Sequence, residues 1–154
     1  MDAPILSTVK LDRVGNVDAA ETALLQLWTP PNLLRNDGDC LFIHAALRLA
    51  ANGNAKTSRF YIGAVSVAGR GGSDNNSLHD IYVRAYRRTL SSLWVTGLTA
   101  NLSSATQLVE ENDMAVDPSL PIELKLTGQG VATDDTISRI LRYSYIPVGS
   151  NFDF

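Results

Sequence analysis

The chain has 154 residues, 45% of them hydrophobic and 19% charged, with 13 basic against 16 acidic side chains and a net charge of −3. That length suits one domain with one sizeable core, and the composition is that of a folded rather than a disordered chain. The acidic balance leaves no electrostatic footprint for DNA or RNA, so nucleic acid is not an expected partner.

In chain order, the N-terminus MDAPILSTVK carries an acidic residue and no apolar run of signal-peptide length. No segment approaches the roughly 20 apolar residues of a membrane span, so no membrane partner is expected and synthesis in a cytoplasm without export by this route is. Ser7 to Val14 alternates weakly. Leu24 to Trp28 is a short run stopped by Thr29-Pro30-Pro31-Asn32, which a central strand cannot accommodate. Asn36-Asp37-Gly38-Asp39 reads as a turn.

The stretch from Gly38 to Val67 carries the strongest pattern. Leu41, Ile43, Ala45, Leu47 and Leu49 share one parity and Phe42, His44, Ala46 and Arg48 the other, the period of a strand with one buried face. Arg59 to Val67 is rich in aromatic and β-branched residues, and Asn52-Gly53-Asn54 between the runs supplies turn chemistry, so the pair is expected as a hairpin. Cys40 is the single cysteine; no intrachain disulfide can form, and the thiol reads as a small buried hydrophobe at a strand start.

Gly69 to Asn76, GRGGSDNN, is expected to be a polar, glycine-rich surface loop. Asp80 to Thr89 alternates Ile81, Val83 and Ala85 against Tyr82, Arg84 and Tyr86, and its aromatic and β-branched content favours a strand over the competing helical stripes. Leu93 to Leu102 fits a further strand, Thr106 to Asn112 a short helix or irregular link, and Asp113 to Pro121 a loop. Ile122, Leu124 and Leu126 alternate with Glu123, Lys125 and Thr127 up to Gly128-Gln129-Gly130, and Thr136 to Val148 is a long last strand stopped at Pro147. The sum is an all-β chain of about eight strands with little helix, and an antiparallel two-sheet sandwich of jelly-roll type is the simplest way to bury them. Residues 1–20 are expected as an N-terminal arm, 21–148 as the jelly-roll domain and 149–154 as a C-terminal tail. The arm and the tail, with Phe152 and Phe154 at its end, are expected to dock on neighbouring subunits.

Chemical signatures are sparse. No cysteine or histidine cluster, Walker loop, GxSxG or HExxH occurs, and GRGG lacks a following Lys-Ser or Lys-Thr. His44 and His79 read as packed or surface histidines. Asp37 with Asp39, and Asp134 with Asp135, read as turn carboxylates that cap their own backbone without calcium. Catalytic residues, metal ligands and cofactors are therefore not expected. Arg84, Arg87 and Arg88, with Tyr82 and Tyr86 between them, form the one basic and aromatic concentration. On a strand, Arg84 and Arg88 share a face with both tyrosines, a surface suited to a carboxylate-bearing neighbour, a sugar or a phosphate backbone. Tyr82, Arg84, Tyr86, Arg88, Phe152 and Phe154 are the candidate interface residues.

A resemblance rests on these residues. Asn36-Asp37-Gly38-Asp39-Cys40-Leu41, Ala50 to Thr57 (AANGNAKT), an aromatic strand, and Tyr82 to Thr89 (YVRAYRRT) occur in order. Ile122 to Gly130 (IELKLTGQG), the Asp134-Asp135 turn and Ile146-Pro147-Val148 follow. Residues 24 to 148 taken this way are similar to the jelly-roll module recurrent in structural proteins of tailed bacteriophages. The resemblance implies a virion protein, often trimeric: a capsid decoration or cement protein on the major capsid protein, a head fibre, or a tail domain. The absence of a repetitive shaft, heptads or collagen-like repeat favours decoration of the capsid surface. A tail or head-fibre module binding host-surface carbohydrate is the alternative, and a small enzyme or unrelated β domain, signalled by a pocket joining His44 or His79 to a carboxylate, a third reading.

Overall fold

The computed structural model describes residues 6–73, 75–101 and 104–150, with only the backbone course over 104–112. These residues form ten strands and no helix: β1 Ser7–Lys10, β2 Thr22–Trp28, β3 Cys40–Leu49, β4 Lys56–Ile62, β5 Val65–Gly72, β6 Leu78–Thr89, β7 Ser92–Asn101, β8 Ser104–Ala115, β9 Glu123–Gly130 and β10 Thr136–Ile146. They pair antiparallel throughout into a six-stranded sheet, β1-β10-β3-β6-β7-β8, and a four-stranded sheet, β2-β9-β4-β5. The quartets β1-β10-β3-β6 and β2-β9-β4-β5, between which the chain alternates except at the β4–β5 hairpin, are the two sheets of an eight-stranded jelly roll. The expected fold is thus present. The hairpin β7–β8, inserted between the sixth and seventh strands of the roll, widens one sheet and raises the count from about eight to ten.

Period-two patterning places the core between the sheets. Leu41, Ile43, Leu47, Leu49, Ile81, Val83, Leu93, Val95 and Leu141 face inward from the larger sheet and meet Leu24, Leu25, Phe60, Ile62, Val67, Leu124 and Leu126. The two layers approach closely at Gly97 on β7, where a Cβ would stand 1.9 Å from the Val67 carbonyl oxygen of β5. Glycine is the residue that lets the backbones meet there.

Several local expectations are corrected. β3 and β4 do not form a hairpin: β3 lies between β10 and β6, while β4 lies between β5 and β9 in the opposite sheet. The 50–55 segment is a crossover, not a reversal. Its polar groups are taken up by the β9–β10 loop, for Asn52 and Asn54 donate side-chain hydrogen bonds to buried Asp135 at 2.7 and 3.0 Å. Lys56 Nζ donates to the carbonyls of Asn52 and Asn54 at 2.8 and 2.9 Å. The real hairpin hides inside the run taken as one strand, Arg59 to Val67. It turns at Gly63-Ala64, where Gly63 has φ of 58° and Ile62 faces Val65, as a two-residue β-hairpin turn requires. The first half of the expected Gly69–Asn76 loop belongs to β5, and Thr106–Asn112 is neither helix nor link but the middle of β8. The 113–121 loop begins after Ala115 for the same reason.

The described part of the 1–20 segment is tied to its own sandwich. β1 pairs with β10, and Gly15 bridges to Ile137. Asn16, fully buried, accepts from Thr136 N at 2.8 Å and donates to the carbonyls of Asp18 and Ala132 at 2.9 Å each. Residues 151–154, with Phe152 and Phe154, lie outside the described residues.

Candidate binding face

The outward parity of β3, β6, β7 and β10 builds a continuous face on the six-stranded sheet. Strand register fixes its rows. Val9, Arg142, His44, Tyr82 and Leu98 stand side by side across five strands, and the next row is Ser7, Ser144, Phe42, Arg84 and Thr96. One step further, Cys40, Tyr86 and Trp94 are aligned. Cross-strand neighbours on one face lie about 5 Å apart at Cβ, so these side chains must touch.

They do so as rings. His44 stacks on Tyr82 with centroids 4.8 Å apart and planes 8° apart; Phe42 lies 6.4 Å from Tyr82, and Tyr86 5.5 Å from Trp94. A groove of about 370 Å³ runs beside the first cluster, lined by Phe42, Tyr82, Arg84, Thr96, Gly97 and Leu98. Burial first, then the nearby Asp80 charge, raises the Tyr82 phenol above its usual pKa against the pull of Arg142. Burial also leads the rise at Tyr86, with Arg84 pulling the other way.

The arginines of the face differ in their partners. Arg88 is paired with Asp113, and Arg48 donates to Asn76 Oδ1 at 2.9 Å. Arg84 and Arg142 have no carboxylate within ion-pairing distance among the described residues. Arg87, of opposite parity, is buried near the C-terminal end of β6. It donates to the Leu34 carbonyl at 2.9 Å and pairs with Asp37 at 3.1 Å. Of the candidate interface residues, Tyr82, Arg84, Tyr86 and Arg88 therefore share one face. Sequence reasoning missed Phe42, His44, Trp94, Leu98 and Arg142, whose parity was readable but whose register against β6 was not.

The two histidines lie on opposite faces of the sheet and cannot share a metal. His44 Nε2 sits 2.9 Å from Asp80 Oδ1, so a histidine–carboxylate pair does exist, but neither residue lines the groove. His79 is fully buried between the sheets with Nδ1 2.8 Å from Ser58 Oγ, itself fully buried, and that contact ties the layers together. No group of three or more potential ligands suited to a metal occurs among the described residues.

Two other concavities are smaller. One, on the four-stranded sheet, centres on Glu21, whose carboxylate accepts from Arg59 and Tyr61 at 2.9 Å each and from Thr127 at 2.5 Å. Burial pulls this carboxyl up, and the hydrogen bonds with the Arg59 charge outweigh it, holding the pKa below the usual range. The other, about 310 Å³ at one end of the sandwich, is lined by Trp28 with Val116, Asp117, Leu120 and Pro121 among others. Neither the known protein-family models nor the sequences of curated proteins give a match to this chain.

Proposed function

We propose that this chain is a non-catalytic assembly module of a bacteriophage virion, a capsid decoration protein that docks on the major capsid protein through the outer face of its six-stranded sheet. The observation that carries the reading is that face. Five aromatic or imidazole rings, with Arg84 and Arg142 lacking carboxylate partners among the described residues, stand in cross-strand register on a jelly roll whose other side is spent on the core. Tyrosine, tryptophan and arginine dominate the energetics of protein contacts, where their large areas are desolvated together. The similarity to phage jelly-roll modules supplies the setting, the capsid surface, and oligomeric assembly, with a trimer as the expected number.

The work done is mechanical. A subunit that bridges capsomers binds the intact shell better than the broken one, and its binding free energy adds to shell stability by linkage. Symmetric assembly repeats one patch and gains avidity. A density map of the virion checks the reading: density for this chain is expected on the head, and its location on the tail, or its absence from the particle, overturns it.

A second reading, a fibre module for host-surface carbohydrate, is favoured by one observation. Trp28 is 56% exposed beside Asp117 at a loop end, an aromatic ring with a carboxylate of the kind sugars stack on and hydrogen-bond to. Binding to a glycan array that is lost in Trp28→Ala would establish it.

A further inference from the structure

We infer that the occupant of the Arg84–Arg142 part of this face is an acidic protein segment that places two carboxylates on either side of an apolar side chain seated on Phe42 and Tyr82. This rests on the reading above that the six-stranded sheet is the docking surface.

The argument begins with charge. The chain as a whole is acidic at −3, yet the outer face carries Arg48, Arg84, Arg88 and Arg142 against Asp80 and Asp113 among the described residues. Arg88 and Asp80 are already satisfied within the face, by Asp113 and His44. Without a carboxylate partner among the described residues are Arg48, which donates to the Asn76 amide, Arg84, whose side chain hydrogen-bonds the Tyr86 hydroxyl, and Arg142; the last two are held on strands separated by β3 and offset by one row. With strands about 4.8 Å apart and about 3.4 Å per residue, their Cα atoms stand roughly 12 Å from each other. Guanidinium forks match carboxylates in bidentate geometry, and unlike lysine they bring little hydration to be stripped.

The ground between the two cations is built of rings and apolar side chains. His44 covers one face of Tyr82 in a near-parallel stack, and the Phe42 ring is tilted 32° against it. The stack turns one face of Tyr82 to His44 and leaves its other side, 37% of the residue being exposed, toward the groove. Leu98 and the apolar-lined groove leave room for an aliphatic or aromatic side chain. A peptide or loop with acidic residues flanking an apolar one meets all three requirements.

The experiment uses the full chain with poly-L-glutamate, followed by fluorescence anisotropy at low and at physiological salt. Binding is expected, about tenfold weaker at physiological salt as exposed charges are screened. It should weaken by at least about tenfold in the Arg84→Gln/Arg142→Gln double variant and more in Arg142→Glu, with Arg48→Gln unchanged. These are outward-facing positions, and a melting curve for each variant shows that the fold is kept. Failure of poly-L-glutamate to bind, equal binding by the double variant, or tighter binding of an oligothymidylate or of sialyllactose overturns the inference. Particle association measured on the same variants separates the two claims. If poly-L-glutamate binding fails while the chain still sits on the head, only the inference falls.

Discussion

The carboxylate of Asp39, fully buried at the head of β3, accepts hydrogen bonds from Arg35 N at 2.8 Å, Asn36 N at 2.9 Å, Val148 N at 2.9 Å and Tyr145 Oη at 3.0 Å. Burial pulls its pKa up, and the four hydrogen bonds more than offset that, so the group stays below the ordinary carboxylate range. Asp135 follows the same pattern: burial raises it, and the Ala132 amide with the Asn52 and Asn54 side chains lowers it further. A carboxyl whose folded pKa is depressed stabilises the fold above its unfolded pKa, and that contribution is lost as pH falls through the folded value. The urea midpoint should therefore fall on acidification below about pH 4. Asp39→Asn should cost about 2–3 kcal/mol at neutral pH and flatten the acid limb, since it turns one acceptor into a donor facing backbone N–H groups. An acid limb as steep as in the parent protein would refute this role for Asp39.

Cys40 sits under the same loop, 5% exposed, and burial pushes its thiol up to about 11. A thiol held protonated and covered is a poor nucleophile. Labelling by a thiol reagent at neutral pH should be slow in the native chain and accelerate with urea in parallel with unfolding. Rapid labelling under native conditions would show that the start of β3 opens locally.

Among the elements, the strands were legible wherever one face is buried. The parity of Leu41 to Leu49 matches five side chains with no exposure, and the parity of Ile81 to Ala85 matches three more. Pairing was not legible. Asn52-Gly53-Asn54 looks the same whether the chain reverses within a sheet or crosses between two, because the partner that decides, Asp135, lies about eighty positions further on. The Gly63-Ala64 turn escaped notice because its flanks continue the same β-branched and aromatic run. For the candidate face the same limit held. Tyr82, Arg84, Tyr86 and Arg88 were grouped by parity within one strand, whereas Phe42, His44 and Arg142 join them only through register.

Glycines give the elements a further check. Gly97→Ala directs a methyl at the Val67 backbone oxygen, which cannot retreat as a side chain could. A loss of about 2–3 kcal/mol in urea unfolding is expected, the cost of overpacking a close sheet-to-sheet contact. Gly53→Ala, with no atom within 4 Å of the added carbon, is the matched control and should change stability by less than about 0.5 kcal/mol. Equal effects at the two positions would mean that the sheets do not meet at Gly97.

At the scale of the molecule, the inequality of the sheets matters more than the number of strands. An eight-stranded jelly roll has two sheets of four strands, each roughly 19 Å across at about 4.8 Å per strand. The β7–β8 hairpin takes one sheet to six strands. That makes it roughly 29 Å across, and over about eight residues of strand the flat outer face approaches 780 Å². A stable protein contact needs about 800 Å² from each partner, a size the unextended sheet, at roughly 510 Å², does not reach. The insertion thus widens the outer face by about half and brings it to the size class of one partner's share of a standard protein contact.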